Sequence, residues 1–182
     1  MAFPALLDTC VLYPTYLRDS LLRLADAGLY RPLWLVDILE ELQRNLVAFG
    51  LGERDVRRML ANMANAFEGA TLDGYQDLIP AMACHEKDRH VLAATVQARA
   101  DTLVTFNLGD FPKDALSPYD VDALHPDEFL LDLLDLASGE VIQVLREQVA
   151  RYRRQPTTVH GLLAALAGAG VPHFADEVRR RL

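Results

Sequence analysis

Short apolar runs alternate with amphipathic helical patterns through residues 3–125, and this alternation restricts the fold more than any other feature of the chain. The first run, Phe3 to Leu7, ends in Asp8, and Leu103 to Phe106 forms another much later. Runs of this length are typical of buried strands. Buried strands that alternate with helices predict an α/β domain with a largely parallel sheet.

Three more strands complete the predicted sheet, at Pro32 to Val36, Ala70 to Leu72 and Val121 to Leu124. Between the strands, Asp37 and Glu40 have the spacing of a capping box, which predicts that a helix begins at Asp37. An earlier helix is expected from Thr15 until Gly28. The stretch Thr9 to Pro14 is predicted to be a loop.

The pattern changes at Pro126, beyond which the chain shows helical periodicity only. Pro126 and Pro172 suit the first turn of a helix, and Thr158 suits an N-cap. We therefore predict an α/β domain of residues 1–125 and an all-helical C-terminal extension of residues 126–182. The apolar residues expected to be buried in the extension are Phe129, Leu133, Leu145, Val149, Leu162 and Leu166.

The formal net charge of the 182 residues is −8, which argues against a protein that coats nucleic acid by charge alone. A nuclease is not excluded, because clustered carboxylates add negative charge that a bound cation offsets. No apolar run approaches the roughly 20 residues of a membrane-spanning helix, and MAFPALLDTC lacks the basic start of a signal peptide. We expect a cytoplasmic protein without membrane contact, in which Cys10 and Cys84 fill apolar core positions.

Three aspartates are predicted to meet at one edge of the sheet. Asp8 directly follows the first strand, and Asp110 follows the strand Leu103 to Phe106 after a short loop. Asp88 precedes a helix that should start at the same edge of the sheet, where open α/β sheets bind their ligands. Three carboxylates that meet there would repel one another unless a cation lies between them. Oxygen ligands of this kind favour Mg²⁺ or Mn²⁺.

Glu41 is the predicted fourth acid. It lies three residues after Ile38 and four before Asn45, on or beside the helix face that is turned toward the sheet. An acid in that position is costly to bury unless it is paired or bound to a metal. Its neighbour Glu40 is interpreted as an ordinary acid of the helix start.

Each aspartate has a simpler interpretation when it is taken alone. Asp8 and Asp110 could be turn residues at strand ends, and Asp88 could be an N-cap. Their joint placement at one sheet edge is what favours a shared site. His85 and His90 flank Asp88, and a structural role is expected for both.

Four segments, each of which contains one of these acids, resemble the PIN-domain family and most closely its VapC-type toxins. They are LLDTCVLYP with the RD that follows it, LWLVDILEELQRNL, HEKDRHVLAAT and LVTFNLGDFP. The resemblance covers residues 3–125 and implies a three-layer PIN-like sandwich around a parallel sheet. It also implies an endoribonuclease whose site, which binds one or two Mg²⁺ or Mn²⁺ ions, consists of Asp8, Glu41, Asp88 and Asp110.

The same resemblance implies supporting residues and partners. Thr9 and Thr105 occupy positions where such domains place small polar residues beside the metal, and Asn107 is expected to be a supporting polar contact. Cys10 departs from the family, which usually has a small polar residue or Asn two positions after the first acid. RNA is the implied substrate and a homodimer the implied assembly. An antitoxin protein is the implied partner if the chain is the toxin of a toxin–antitoxin pair.

The principal alternative is a catalytically silent PIN fold that binds RNA or protein, and the presence of all four acids argues against it. A phosphatase of the haloacid dehalogenase type is rejected, because Cys10 stands where its second acid would be. The basic residues near the motifs, each a candidate phosphate contact or a solvated charge, are Arg18, Arg44, Lys87 and Arg89. The arginines within 151–154 and 179–181 could contact RNA or an acidic partner, although a solubilising surface is favoured.

Overall fold

The computed structural model describes residues 2–182 and contains, within that range, one sheet of five strands. The strands are β1 (Pro4–Leu7), β2 (Arg31–Leu35), β3 (Thr71–Leu72), β4 (Thr102–Val104) and β5 (Asp122–Leu124). They lie in the order β3-β2-β1-β4-β5, and every neighbouring pair is parallel. The predicted α/β class and the parallel sheet are confirmed.

Helices connect these strands and form the outer layers. In the first part of the chain they are α1 (Thr9–Leu12), α2 (Thr15–Asp26), α3 (Val36–Ala48), α4 (Glu53–Ala66), α5 (Arg89–Gln97) and α6 (Lys113–Leu116). The chain runs outward from β1 to β3 in one direction, then returns to β4 and continues to β5 in the other. Because parallel crossovers are right-handed, the helices of these two halves lie on opposite faces of the sheet. The arrangement is the expected three-layer sandwich.

The strand order reverses between β1 and β4, and this reversal positions the site. Leu6 of β1 pairs with Leu33 on one side and with Leu103 on the other, and all three side chains are fully buried. The segments that leave β1 and β4 diverge to opposite faces, which opens a crevice at the carboxyl ends of the two strands. Asp8 stands at this crevice, where its N–H donates to the carbonyl of Val104 at 3.1 Å.

Two local predictions are wrong. Thr9 to Pro14 is not simply a loop, because the Asp8 side chain caps a short helix, α1, that begins at Thr9. No capping box starts the second long helix either, since β2 runs directly into α3, whose N-cap is Leu35. Asp37 therefore lies inside the first turn, where its charge favours the positive end of the helix dipole.

The C-terminal part is all-helical, as predicted. Its helices are α7 (Pro126–Leu136), α8 (Ser138–Ala150), α9 (Val159–Gly168) and α10 (Pro172–Arg181). Pro126 and Pro172 occupy first turns, and the Thr158 hydroxyl accepts a hydrogen bond from the N–H of Gly161 as an N-cap. All the apolar residues predicted to be buried in this part are buried.

The extension packs against the α/β part through both apolar and polar contacts. Phe129 of α7 meets Tyr30 edge-on, with ring centroids 5.0 Å apart. Ser20 of α2 donates a 2.8 Å hydrogen bond to Oε1 of Gln148 in α8, and both residues are fully buried. The domain boundary after residue 125 stays a prediction, which separate unfolding of the two parts would test. None of the helices in residues 2–182 is both long and apolar enough to cross a membrane.

Candidate active site

The carboxylate of Asp8 is fixed by groups on two elements. Its Oδ1 accepts a 2.7 Å hydrogen bond from the N–H of Thr9, the first residue of α1. Its Oδ2 accepts a 2.7 Å hydrogen bond from the hydroxyl of Thr105, which directly follows β4 and is fully buried. Because both donors belong to rigid elements, Asp8 has one defined orientation in the crevice.

Cys10 is partly buried against the apolar core, as predicted, but it also takes part in this arrangement of polar groups. Its Sγ lies 3.4 Å from Oδ2 of Asp8 and 3.5 Å from Oγ1 of Thr105, and accepts a hydrogen bond from the N–H of Phe106. Burial, and then the negative charge of Asp8, raise the pKa of the thiol to about 11. Cys10 is therefore a protonated thiol that donates to Asp8. The sequence feature that indicated this contact was the position of Cys10 two residues after the first acid, Asp8. Cys84 is buried, as predicted.

Glu41 is joined to the crevice through Thr9. The Thr9 hydroxyl donates a 3.0 Å hydrogen bond to Oε2 of Glu41 from the neighbouring helix α3. Glu41 and Glu40 are both exposed, but only Glu41 lines the adjoining cleft of about 540 Å³. The cleft is lined by Thr9, Cys10, Tyr13, Glu41, Asn45, Ala48 and Phe49. The sequence placed Glu41 correctly beside the inward helix face, although the capping-box argument for separating it from Glu40 was wrong.

Asp88 and Asp110 approach from the other side of the crevice. Each lies in a 3-10 turn, one before α5 and the other after β4. The N–H of His85 donates to the carbonyl of Asp110 at 3.3 Å, which ties the two turns together. The pKa of the Asp88 carboxyl is raised by burial and then by the negative charges of Asp110 and Asp8. Asp110 and Asp8 therefore lie close enough to Asp88 for their charges to act on its carboxyl.

Comparison with known proteins accounts for both parts of the chain. Residues 126–180 match the family model described as the VapC50 C-terminal domain. A protein of Mycobacterium tuberculosis (strain ATCC 25618 / H37Rv) named "Putative ribonuclease VapC50" is 53% identical over 116 residues, which cover 64% of this chain and 68% of that protein. The chain belongs to the VapC-type PIN-domain family. No solved structure matches it.

Other residues of this VapC-type site differ in how much they contribute. Asn107 is exposed, and its contact with the site is its backbone N–H, which donates to the hydroxyl of Thr105 at 3.0 Å. His85 caps the turn before Asp88, with its Nδ1 3.8 Å from the Asp88 carboxylate. These contacts support the structural role expected for His85.

Arg18 does not offer a free positive charge to this VapC-type site. Its side chain is buried, and one guanidinium nitrogen donates to the carbonyls of Leu12 at 2.7 Å and Tyr13 at 3.1 Å. These carbonyls end helix α1, so Arg18 fixes the helix that carries Thr9 and Cys10. Arg18 is therefore neither of the two predicted alternatives, a phosphate contact or a solvated charge.

The donor set of this VapC-type site suits a hard cation that keeps part of its water shell. Across residues 2–182, no three or more His, Cys, Asp or Glu side chains are grouped so that they could hold a metal ion. Mg²⁺ usually retains several waters and is held by one or two carboxylates together with substrate phosphates. Burial, and then the negative charges of Asp110 and Asp8, raise the pKa of the Asp88 carboxyl, and a cation beside these carboxylates would offset those charges. Carboxylate oxygens at this crevice therefore fit Mg²⁺ or Mn²⁺.

Proposed function

We propose that this protein is a Mg²⁺- or Mn²⁺-dependent endoribonuclease of the PIN type. The observation that carries the proposal is the convergence of Asp8, Asp88 and Asp110 at the carboxyl ends of β1 and β4, with Glu41 joined to them through Thr9. The name of the Mycobacterium tuberculosis relative, "Putative ribonuclease VapC50", supports the same reaction. The presence of all four acids in the chain argues against the silent-fold alternative.

The roles of the residues follow from their placement. Asp8, held by Thr9 and Thr105, and Asp88 would provide the main oxygen ligands. Asp110 would complete a weaker or second position, and Glu41 would orient water from the cleft side. A bound cation would neutralise the phosphate and lower the pKa of the attacking water, so that the phosphodiester is cleaved by hydrolysis. No histidine base is required.

The cleft beside Glu41 suits a single strand of RNA better than a duplex. Tyr13 and Phe49 stand edge-on with ring centroids 6.3 Å apart, and the Phe49 side chain is 74% exposed. Unpaired bases can stack on exposed aromatic rings of this kind, whereas bases within a duplex cannot. We therefore propose single-stranded or loop RNA as the substrate.

The test is cleavage of a defined single-stranded RNA with Mg²⁺ or Mn²⁺, with and without EDTA. Cleavage should require the cation and should be lost in Asp8→Asn and Asp88→Asn, while Asp110→Asn should lose less. Glu41→Gln has a matched control in Glu40→Gln, an adjacent and also exposed acid that does not line the cleft. RNA cleavage that survives EDTA or Asp88→Asn would contradict the mechanism, and failure to bind Mn²⁺ would favour the silent fold.

We further propose that the protein is the toxin of a toxin–antitoxin pair and forms a homodimer, on the strength of its VapC-type family membership. Expression alone should slow growth, and co-expression with the product of the adjacent reading frame should restore it. The Asp88→Asn variant is the control, because it should be harmless without the partner. Light scattering after gel filtration measures the assembly, and a monomer would contradict the homodimer.

A further inference from the structure

Three exposed arginines surround one hollow at the end of helix α8. Arg151, Arg153 and Arg154 lie in the connection between α8 and α9, and their side chains line a hollow of about 330 Å³. The other residues that line it are Tyr16, Tyr152 and Gln155. We call this surface the arginine hollow. In the described chain, none of its three guanidinium groups forms an ion pair with a carboxylate.

The second basic cluster of the extension has a different environment. Arg179, Arg180 and Arg181 of α10 are each paired with acids on their own helix or on α7. Their partners are Asp176, Glu177 and Asp135. The charges of these three arginines are therefore offset by neighbouring carboxylates. The arginine hollow therefore concentrates positive charge on a protein whose net charge is −8.

The arginine hollow is connected directly to the segment that carries the active site. Tyr16, which lines it, belongs to the first turn of α2, and its hydroxyl donates to the carbonyl of Gln155 at 3.1 Å. The Tyr152 ring lies 5.7 Å from the Tyr16 ring, centroid to centroid. Tyr16 follows Asp8 by eight residues, four of which form α1, so the two are at most about 20 Å apart along the chain. A short single strand can span that distance.

We propose that the arginine hollow binds the phosphate backbone of the RNA strand whose scissile bond lies at Asp8 and Asp88. This inference rests on the proposed function and assigns the C-terminal extension a role in holding substrate. Guanidinium groups pair with phosphates in a planar, two-point geometry, and tyrosine rings beside them can stack on bases. A protein of net negative charge needs such a local site, because its overall field repels RNA.

The test compares two variants that each remove three positive charges. The triple variant R151Q/R153Q/R154Q removes all three positive charges of the arginine hollow. The control R57Q/R58Q/R180Q removes three exposed arginines that are paired with Glu53, Asp55 and Glu177. Binding of a fluorescent single-stranded RNA is measured in EDTA, without cleavage, over a range of salt concentrations. The slope of log K against log salt should become shallower by about 2 in the first variant, because each lost phosphate contact contributes about 0.7. The control should keep the wild-type slope.

Cleavage and crosslinking separate this inference from the proposed function. With Mn²⁺, the hollow variant should show a raised KM and an unchanged kcat on long RNA, and 4-thiouridine RNA should crosslink to the peptide that contains residues 151–155. If wild-type protein cuts RNA but both triple variants bind it equally, the arginine hollow is not a substrate site and the proposed function stands. If wild-type protein neither binds nor cuts RNA, the proposed function itself fails. Loss of an acidic protein partner in the hollow variant, with RNA binding intact, would also overturn the inference.

Discussion

The hydroxyl of Thr105, which follows β4, donates a 2.7 Å hydrogen bond to Oδ2 of Asp8, which precedes α1. The residues are 97 positions apart, and the parallel pairing of β1 with β4 brings them together. The same hydroxyl oxygen accepts the N–H of Asn107 at 3.0 Å, so its proton is directed toward the carboxylate. Thr105, which is fully buried, thus holds the carboxylate of Asp8 in one orientation.

Replacing Thr105 by valine should weaken Mn²⁺ binding and RNA cleavage on the order of 10- to 100-fold, as the loss of a supporting hydrogen bond at a metal site typically does. Thr95→Val is the matched control, because Thr95 is also fully buried but its hydroxyl bonds only the carbonyl of Val91 in α5. Calorimetric Mn²⁺ titration and cleavage rates measure the effect. Equal losses in both variants would show that Thr105 acts only through general stability.

The raised pKa of Asp88 predicts how metal-free stability depends on pH. Burial, and then the charges of Asp110 and Asp8, raise the pKa of its carboxyl above the ordinary value of 3.8. The folded protein therefore binds a proton at Asp88 more tightly than the unfolded chain does. The resulting stabilisation is complete below pH 3.8 and is lost as the pH rises through the folded-state pKa. At neutral pH the ionised carboxylate therefore lowers the free energy of unfolding.

Asp88→Asn should consequently raise the melting temperature at pH 7 in EDTA, and its advantage should shrink as the pH falls through that window. Asp73→Asn, at an exposed acid outside the crevice, should show no such pattern. Adding Mn²⁺ should stabilise the wild type more than Asp88→Asn, because the ion binds the folded site. Melting curves across pH measure all three. A wild type that is more stable than Asp88→Asn in EDTA at pH 7 would contradict the repulsion.

The strands, and the placement of Asp8 and Asp110 after two of them, were predictable because each depends on a local pattern. A run such as Phe3 to Leu7 has to be buried, and a parallel sheet then brings the residues after its strands to one edge. Asp8 and Asp110 needed no further information. The same holds for the extension, where Pro126 and Pro172 begin helices as their fixed φ angle favours.

What the sequence did not predict depends on contacts between distant segments. Arg18 has the spacing of a surface arginine, and only the path of α1 places the carbonyls of Leu12 and Tyr13 against it. Cys10 lies between the apolar pairs Leu6-Leu7 and Val11-Leu12 in sequence, whereas its Sγ contacts Asp8 and the distant Thr105. The prediction of a capping box at Asp37 was wrong because β2 ends at Leu35 and α3 begins at Val36, so no loop separates them.

Phe49→Ala should raise the KM for single-stranded RNA, with roughly a tenfold loss of kcat/KM, because stacking of one base on an aromatic ring contributes about 1–3 kcal/mol. Stability should change little, since the ring is 74% exposed. Leu136→Ala is the control, because Leu136 is 76% exposed and lies in a hollow with Phe3 and Thr102, near the starts of β1 and β4. Steady-state cleavage measures both. An unchanged KM in Phe49→Ala would remove Phe49 from the substrate site.

Asp127 of α7 stabilises the C-terminal extension by capping helix α10. The residue is 5% exposed, and its carboxylate accepts hydrogen bonds from the N–H groups of His173 at 3.1 Å and Phe174 at 2.7 Å, which begin α10. One acid of α7 therefore satisfies two orphan donors of another helix and faces the positive end of its dipole.

Asp127→Ala should lower the free energy of unfolding by about 2–3 kcal/mol, because it removes a helix cap and leaves buried N–H groups without partners. The melting temperature should fall by several degrees. Asp127→Asn should lose less, since its amide oxygen still accepts one N–H. Asp132→Ala, an exposed acid of the same helix, should be close to neutral. Denaturant unfolding measures the series, and an Asp127→Ala variant as stable as Asp132→Ala would show that α10 does not depend on this cap.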